Sequence, residues 1–322
     1  MAKTPASKPA AAKSTKKAAA PAKAAQSVAS EADEDPQETS AAVEPEAAKP
    51  TQARASAKAA SKADDLVPSG YWLACDDGEV YGFGLRESYS SANDLLLGQP
   101  IVAAAGLPGE AGGYWLVSAD GGVLPFGDAR FYGAANTDAV EHPICAAAAA
   151  PDGKGYFLGA ADGGIYAFGS SVDHGSARSY PLEYPVVGMA VTASGDGYWL
   201  VTADGNVYDF GDATYDGCLR DVQLSAAVVG IAAGGADGYW IVTADGEVYS
   251  FAGADEHGSV APDYLTSPIV GIAATASRDG YWLAGGDGSV HAFGKAEAHG
   301  DALDRSIPRR VVAVTSSAAS AS

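Results

Sequence analysis

From residue 66 onward, short apolar runs of four to seven residues alternate with clusters of Gly, Asp, Asn and Pro. The runs are rich in Val, Ile, Tyr, Trp and Phe. This is strand chemistry with turn punctuation, and no helical period accompanies it. Gly-Tyr followed by Trp or Phe recurs six times, beginning at Gly70, Gly113, Gly155, Gly197, Gly238 and Gly280, at intervals of 43, 42, 42, 41 and 42 residues. Each unit has one order: a leading apolar run such as Pro268–Thr275, a GYWLVTADG-like stretch such as Gly197–Gly205, a second run such as Asn206–Gly211, and a weaker outer segment such as Ala254–Ser259. A polar connector of about ten residues closes the unit.

Asp-Gly stands between the second and third runs in all six units, at Asp77, Asp120, Asp162, Asp204, Asp245 and Asp287. This dipeptide predicts a tight hairpin, with the type I′ turn as the expected form. Adjacent residues of a strand point to opposite faces, so each Tyr-Trp pair makes both faces of its strand apolar. A sheet packed between two like sheets satisfies that pattern, whereas a sheet with one wet face does not. Four strands in about 42 residues is the size of one propeller blade.

The first unit lacks a leading run, and a surplus run, Pro308–Thr315, follows the last unit. The expected fold is therefore an all-β, six-bladed β-propeller of four-stranded blades, its ring closed by the C-terminal strand. The expected division is a disordered tail over 1–64, the propeller over 65–317 and a disordered end over 318–322.

The repeat resembles one abundant in actinobacterial proteins, GYWLVxxDGGVFxFGDAxFYGS. Ser194–Gly217 (SGDGYWLVTADGNVYDFGDATYDG) and Ala111–Ala134 (AGGYWLVSADGGVLPFGDARFYGA) carry the likeness, which extends over all six units. It implies the propeller fold, and an attachment to surface or cell-wall proteins. The shorter DGxVYxFG is similar to the DGxVYxWG of propellers of the regulator-of-chromosome-condensation type, whose period is longer.

Composition divides the chain. Residues 1–64 are almost all Ala, Lys, Ser, Pro, Thr, Gln, Glu and Asp, too little apolar surface to offset the entropy of ordering. They carry ten basic and eight acidic residues, near +2, whereas 65–322 carry ten basic and 32 acidic, near −22. Such an acidic domain repels nucleic acid and anionic membranes and attracts basic partners. Residues 1–29 hold six lysines and no acid, like the tails of linker histones, so nucleic acid is expected only through that block, if at all. Cys75, Cys145 and Cys218 have no CxxC spacing, and a reduced compartment is expected. With no apolar targeting segment and no run of 18 apolar residues, the expectation is a cytoplasmic monomer without membrane insertion.

No nucleophile elbow, HExxH or phosphate loop occurs, and the connectors are uniformly short, so catalysis, cofactors and metals are not expected. His174, His257 and His299 share one repeat position, where a ring of imidazoles would form; one blade apart, they are too distant for a common ion. His142 and His291 complete the histidines. The Asp-Gly aspartates lack a DxDxDG loop, and turns account for them. The GYW rings would stack on sugars only if exposed, and mid-strand they belong to the core. The residues after Asp-Gly (Glu79, Gly122, Gly164, Asn206, Glu247, Ser289) differ too much to form six identical sites. Leu95–Leu97, in the irregular segment Arg86–Gln99, is an apolar cluster free to contact a partner or to pack under the ring. The expected function is a non-catalytic scaffold offering an acidic surface to a basic protein partner. Alternatives are a lectin-like glycan-binding module at the cell envelope and a propeller glycosidase or lyase.

Overall fold

The structure, a computed structural model, describes Gly70–Ser316 apart from residues 86–88, 110–111, 138–139, 306 and 308. The tail assigned to 1–64 and the end assigned to 318–322 lie outside the described residues.

The described chain is all-β: six three-stranded antiparallel sheets joined by connectors, four of which carry a single 3₁₀ turn among the described residues. The first sheet holds β1 (Tyr71–Cys75) and β2 (Val80–Phe83). The second is β3 (Ile101–Gly106), β4 (Gly113–Ser118) and β5 (Val123–Gly127). The third is β6 (Ile144–Ala149), β7 (Gly155–Ala160) and β8 (Ile165–Gly169). The fourth is β9 (Val186–Val191), β10 (Gly197–Thr202) and β11 (Val207–Gly211). The fifth is β12 (Val228–Gly234), β13 (Gly238–Thr243) and β14 (Val248–Phe251). The sixth is β15 (Ile269–Ala274), β16 (Gly280–Gly285) and β17 (Val290–Gly294). The surplus run forms β18 (Val311–Ser316), which pairs with β1 from Tyr71↔Ser316 to Cys75↔Val311 and gives the first sheet its missing strand.

The leading strands β3, β6, β9, β12, β15 and β18 neighbour one another in a cycle, a propeller-like arrangement. Hydrogen bonds join each sheet to the next at the hairpin end. The residue before each hairpin Asp donates its N–H to the carbonyl ahead of its own leading strand. Its carbonyl accepts the first N–H of the next leading strand: Ala119 from Ile144, Ala203 from Val228 and, closing the cycle, Gly286 from Val311.

The middle strands are buried on both faces because Tyr and Trp fill opposite sides. Each Trp, or Phe157, meets the Tyr of the following sheet. The ring centroids are 5.4 Å apart for Trp72–Tyr114, 5.3 Å for Trp115–Tyr156 and Phe157–Tyr198, 5.4 Å for Trp199–Tyr239 and 5.0 Å for Trp240–Tyr281. Trp282–Tyr71, at 5.3 Å, joins the last sheet to the first. Such pairs contribute about 0.5–1.5 kcal/mol each beyond the area they bury. Each Tyr also packs on the Phe of its own third strand, as Tyr239 does on Phe251 at 5.2 Å.

Two expectations are corrected. The outer segment is not a fourth strand in any described sheet. Side chains, rather than a ladder, hold its backbone. Trp115, Trp199, Trp240 and Trp282 each donate Nε1–H to a carbonyl 15 residues on, as Trp199 does to Thr214 at 2.8 Å. The Tyr hydroxyl of the following sheet donates to the same segment: Tyr156 to Gly133, Tyr198 to Gly175 (2.5 Å), Tyr239 to Gly217 and Tyr281 to Gly258. Tyr114 reaches Ser90, and Tyr71 reaches Gly300 of the last unit. Burial pushes the Tyr114 and Tyr239 phenols well above the usual range, which keeps these donors protonated.

The hairpins, in turn, are not type I′. That turn needs positive φ at both central residues, but among the described non-glycine residues only Ala252 and Arg278 have it. The loop has three residues: Gly78 donates to Cys75, and Cys75 donates to Glu79. It is a type I turn ended by a left-handed glycine. Asp wins this position because its carboxylate accepts the N–H two residues on: Asp77 from Glu79, Asp162 from Gly164, Asp287 from Ser289. Gly205 shows why glycine follows: φ is +83°, and an added Cβ would sit 2.6 Å from the Leu219 Cβ.

Tyr198→Phe removes the bond to Gly175 and the acceptor for the His174 N–H (3.1 Å), so a urea melt is expected to show a loss of about 1–2 kcal/mol. Deleting residues 311–322 bares the β1 edge, and the transition is expected to lose its single cooperative step.

Candidate functional site

The six sheets present two ends. One carries the hairpins, and the connectors pack on it. Each connector docks by one small or aliphatic residue whose N–H bonds the hairpin glycine: Ala92 on Gly78, Ala135 on Gly121, Ala177 on Gly163, Leu219 on Gly205, Val260 on Gly246 and Ala302 on Gly288. Just beyond these anchors, apolar side chains project to solvent: Leu96 fully, Tyr264 at 73%, and Leu95, Tyr180, Val222 and Leu303 at about half exposure. The expected Leu95–Leu97 cluster is therefore exposed at its first two residues, while Leu97 is half-buried. The hairpin aspartates and other carboxylates, including Asp94, Glu141, Glu183, Asp221 and Asp263, stand among these side chains.

The hairpin aspartates are committed to the turns. Asp120, Asp204 and Asp245 each accept from a Ser or Thr hydroxyl at 2.5 Å. Burial acts to raise the Asp245 carboxyl, but hydrogen bonds from Ser225 and Thr243 hold it below its ordinary value. Asp162 is engaged by Arg178 Nε at 2.6 Å. The six residues after Asp-Gly do not form a repeated site. Ser289 is buried on Asp287, and Glu247 accepts from Tyr249 at 2.6 Å.

His174, His257 and His299 lie in the outer segments, one per sheet, against the tyrosines of the next sheets: 6.2 Å from Tyr198, 5.9 Å from Tyr281 and 6.1 Å from Tyr71. Tyr132 occupies the equivalent place against Tyr156 at 5.9 Å. The position extends the aromatic packing and brings no two histidines together. Burial pulls the His291 imidazole, on β17, below its usual value. His142 is exposed at the hairpin end. The GYW tyrosines and tryptophans are at most 3% exposed, so they offer no stacking surface. Among the described residues no three His, Cys, Asp or Glu side chains group to hold a metal ion, the three cysteines are free, and no helix is long and apolar enough to cross a membrane.

No protein-family model matches this chain, and no curated protein matches it. The functional reading therefore rests on the geometry of its own residues.

At the opposite end the leading strands finish around a cavity of about 510 Å³. Its lining side chains are mostly small and aliphatic: alanines of five leading strands or the turns after them, with Met189, Ile231, Ile272 and Val314, beside Thr315 and Ser316 of the sixth. Among the described residues, one charged side chain, Arg278, lines it. Among the described lysines and arginines Arg278 alone is not exposed. Its guanidinium donates to the Val191 carbonyl, two units away, at 3.3 Å. Desolvation pulls it below the ordinary arginine range, and Asp237 partly offsets this. The neighbouring Asp279 is occupied by Lys295 Nζ at 2.8 Å and by Ser277 and Thr275. Arg278 is absent from the sequence-based candidates, although alignment of the repeat shows it. Units three and four place glycine two residues before the repeat Gly-Tyr, at Gly153 and Gly195, and unit six places arginine there.

Bonds from Lys295 and then Ser277 lower the Asp279 carboxyl to about 2. A depressed carboxylate stabilises the fold above its unfolded value, and that contribution disappears as pH falls through the folded value. The stability difference between the native chain and Lys295→Ala, followed by urea melts, is therefore expected to be constant above about pH 5, to shrink below about pH 4 and to vanish only below about pH 2.

Proposed function

We infer that the chain is a closed six-bladed β-propeller with a non-catalytic role, binding a basic protein partner across the face that carries the hairpins. The observation that carries this reading is the set of exposed apolar side chains on that face, Leu95, Leu96, Tyr180, Val222, Tyr264 and Leu303, set among carboxylates and a smaller number of arginines such as Arg178 and Arg305. They occupy related places in the connectors, just past each anchor on the hairpin glycine. Aromatic and aliphatic anchors ringed by charge are what a protein interface uses: the anchors supply affinity, and the acidic field steers a basic partner to them. An acidic excess of 22 charges over residues 65–322 gives that field its sign.

Three features support closure of the ring: the β18–β1 pairing, the Val311–Gly286 bond and the Trp282–Tyr71 contact. Each blade in this reading has three hydrogen-bonded strands and an outer segment latched by side chains. The non-catalytic role agrees with the use of the hairpin carboxylates as turn caps and with the burial of the GYW rings.

The test is affinity capture from the lysate of the source cell on the full chain, beside a variant carrying Leu96→Ser, Tyr180→Ser and Tyr264→Ser. The expected result is a basic protein retained by the native chain, released as salt is raised from about 0.1 to 1 M, and lost from the variant. Retention that survives both changes, or no retained protein, contradicts the reading.

A further inference from the structure

Arg278 occupies a backbone position made for glycine. Its φ is +57°, in the left-handed region. The same turn recurs in two other units, with Gly153 (φ +67°) and Gly195 (φ +82°) at this point. The turns correspond bond for bond: Gly153 donates to Ala150, Gly195 to Thr192 and Arg278 to Thr275, each at the residue that opens the loop. The strand pairs that they close correspond as well, through Ala150 to Gly155, Thr192 to Gly197 and Thr275 to Gly280. A side chain in this conformation costs stability relative to glycine, and such strain persists where the side chain does something.

What the side chain does is put a half-buried cation at a cavity whose lining side chains are mostly small and aliphatic but whose exposed surface is polar as much as apolar. The Arg278 backbone is fixed on both sides, by the Thr275 carbonyl and by the Gly235 N–H that bonds the Arg278 carbonyl at 2.8 Å. No carboxylate lies within ion-pair distance of the guanidinium among the described residues, in a domain where acids outnumber bases more than threefold. Among the described residues its side chain makes one hydrogen bond, to a neutral carbonyl and at the long end of the range. The planar guanidinium fork therefore has donors to spare, and it matches the two oxygens of a carboxylate. Of the nearby hydroxyls, Thr275 donates to Asp279, and Thr315 accepts the Gly106 N–H at 2.7 Å. Beyond the guanidinium the wall offers Met189, Ile231, Ile272 and Val314, with alanines between them. A volume of about 510 Å³ falls within the range of small-molecule sites.

We propose that this cavity is a ligand site for a carboxylate borne on a short apolar body, with Arg278 clamping the carboxylate and the strand-end side chains enclosing the body. It lies at the end opposite the hairpin face and does not depend on the partner proposed there. A free short-chain acid and the C-terminus of a peptide present the same chemistry, and the test separates them.

The full chain is titrated by calorimetry with hexanoate, with hexanamide, with inorganic phosphate, and with a short peptide ending in leucine, free or amidated. Saturable binding of hexanoate or of the free-ended peptide is expected, at least tenfold tighter than that of the matching amide or of phosphate. The better of the two binders identifies the source. Arg278→Gly is expected to abolish binding and to keep or raise the melting temperature, because glycine is the unstrained residue in the sister turns. Arg278→Lys keeps the charge but not the fork, and is expected to weaken binding at least threefold. Three results would overturn the proposal. The first is acid and amide binding equally or not at all. The second is phosphate binding as well as the acids. The third is Arg278→Gly lowering the melting temperature by several degrees with binding intact, which would make the arginine only a strut across the ring.

Discussion

Everything in this molecule depends on one contact, repeated six times: an indole or phenyl ring of one middle strand against the phenol of the next. The pattern forces it. Tyr and Trp are neighbours in a strand, so they face opposite ways, and neither face can be left to water. Each sheet must therefore have a sheet on both sides. A row of such sheets would leave one tyrosine face and one tryptophan face bare at its ends. Trp282 against Tyr71 removes both at once. The exchange of β18 onto β1 follows from the same requirement, since Tyr71 reaches its place only if the first sheet is complete.

The remaining structure is built outward from these rings. The polar ends of Tyr and Trp emerge at the outer edge of the packing, and there they need partners. They find them in the carbonyls of the outer segment, which consequently needs no ladder of its own. One side chain thus packs between sheets and also ties down a loop, so the latch joins sheet to sheet as well as segment to strand. At the hairpin end the closely packed glycines allow the connectors to dock, and the docked connectors carry the exposed side chains proposed to meet a partner.

Much of this is written in the sequence. The number of units, three of the four strands expected in each, the strand exchange and the burial of the aromatic pairs follow from period and alternation alone. Two details do not. Asp-Gly suggests the primed turn, but the aspartate's bond to the N–H two residues on favours the three-residue loop, and that bond depends on backbone geometry rather than composition. The outer segment reads as a weak strand because it is extended and carries Tyr, Phe and His. Its partners are side-chain atoms 15 residues before it and about 23 after it, which no local pattern reveals. Arg278 was legible only by comparing units, as an arginine where the sister turns hold glycine. Of the hairpin-end surface the sequence marks only Leu95–Leu97; Tyr180, Val222, Tyr264 and Leu303 become surface residues through the docking of their connectors.

The central claim is that the last sheet meets the first through the same contact that joins all the others. A double-mutant cycle measures this directly. Trp282→Leu, Tyr71→Leu and the double variant are compared in urea melts with the same set at Trp199 and Tyr239, an internal junction with a similar centroid distance of 5.4 Å. A closed ring predicts coupling of about 0.5–1.5 kcal/mol at both junctions. Coupling at the internal pair with none between Trp282 and Tyr71 would contradict closure.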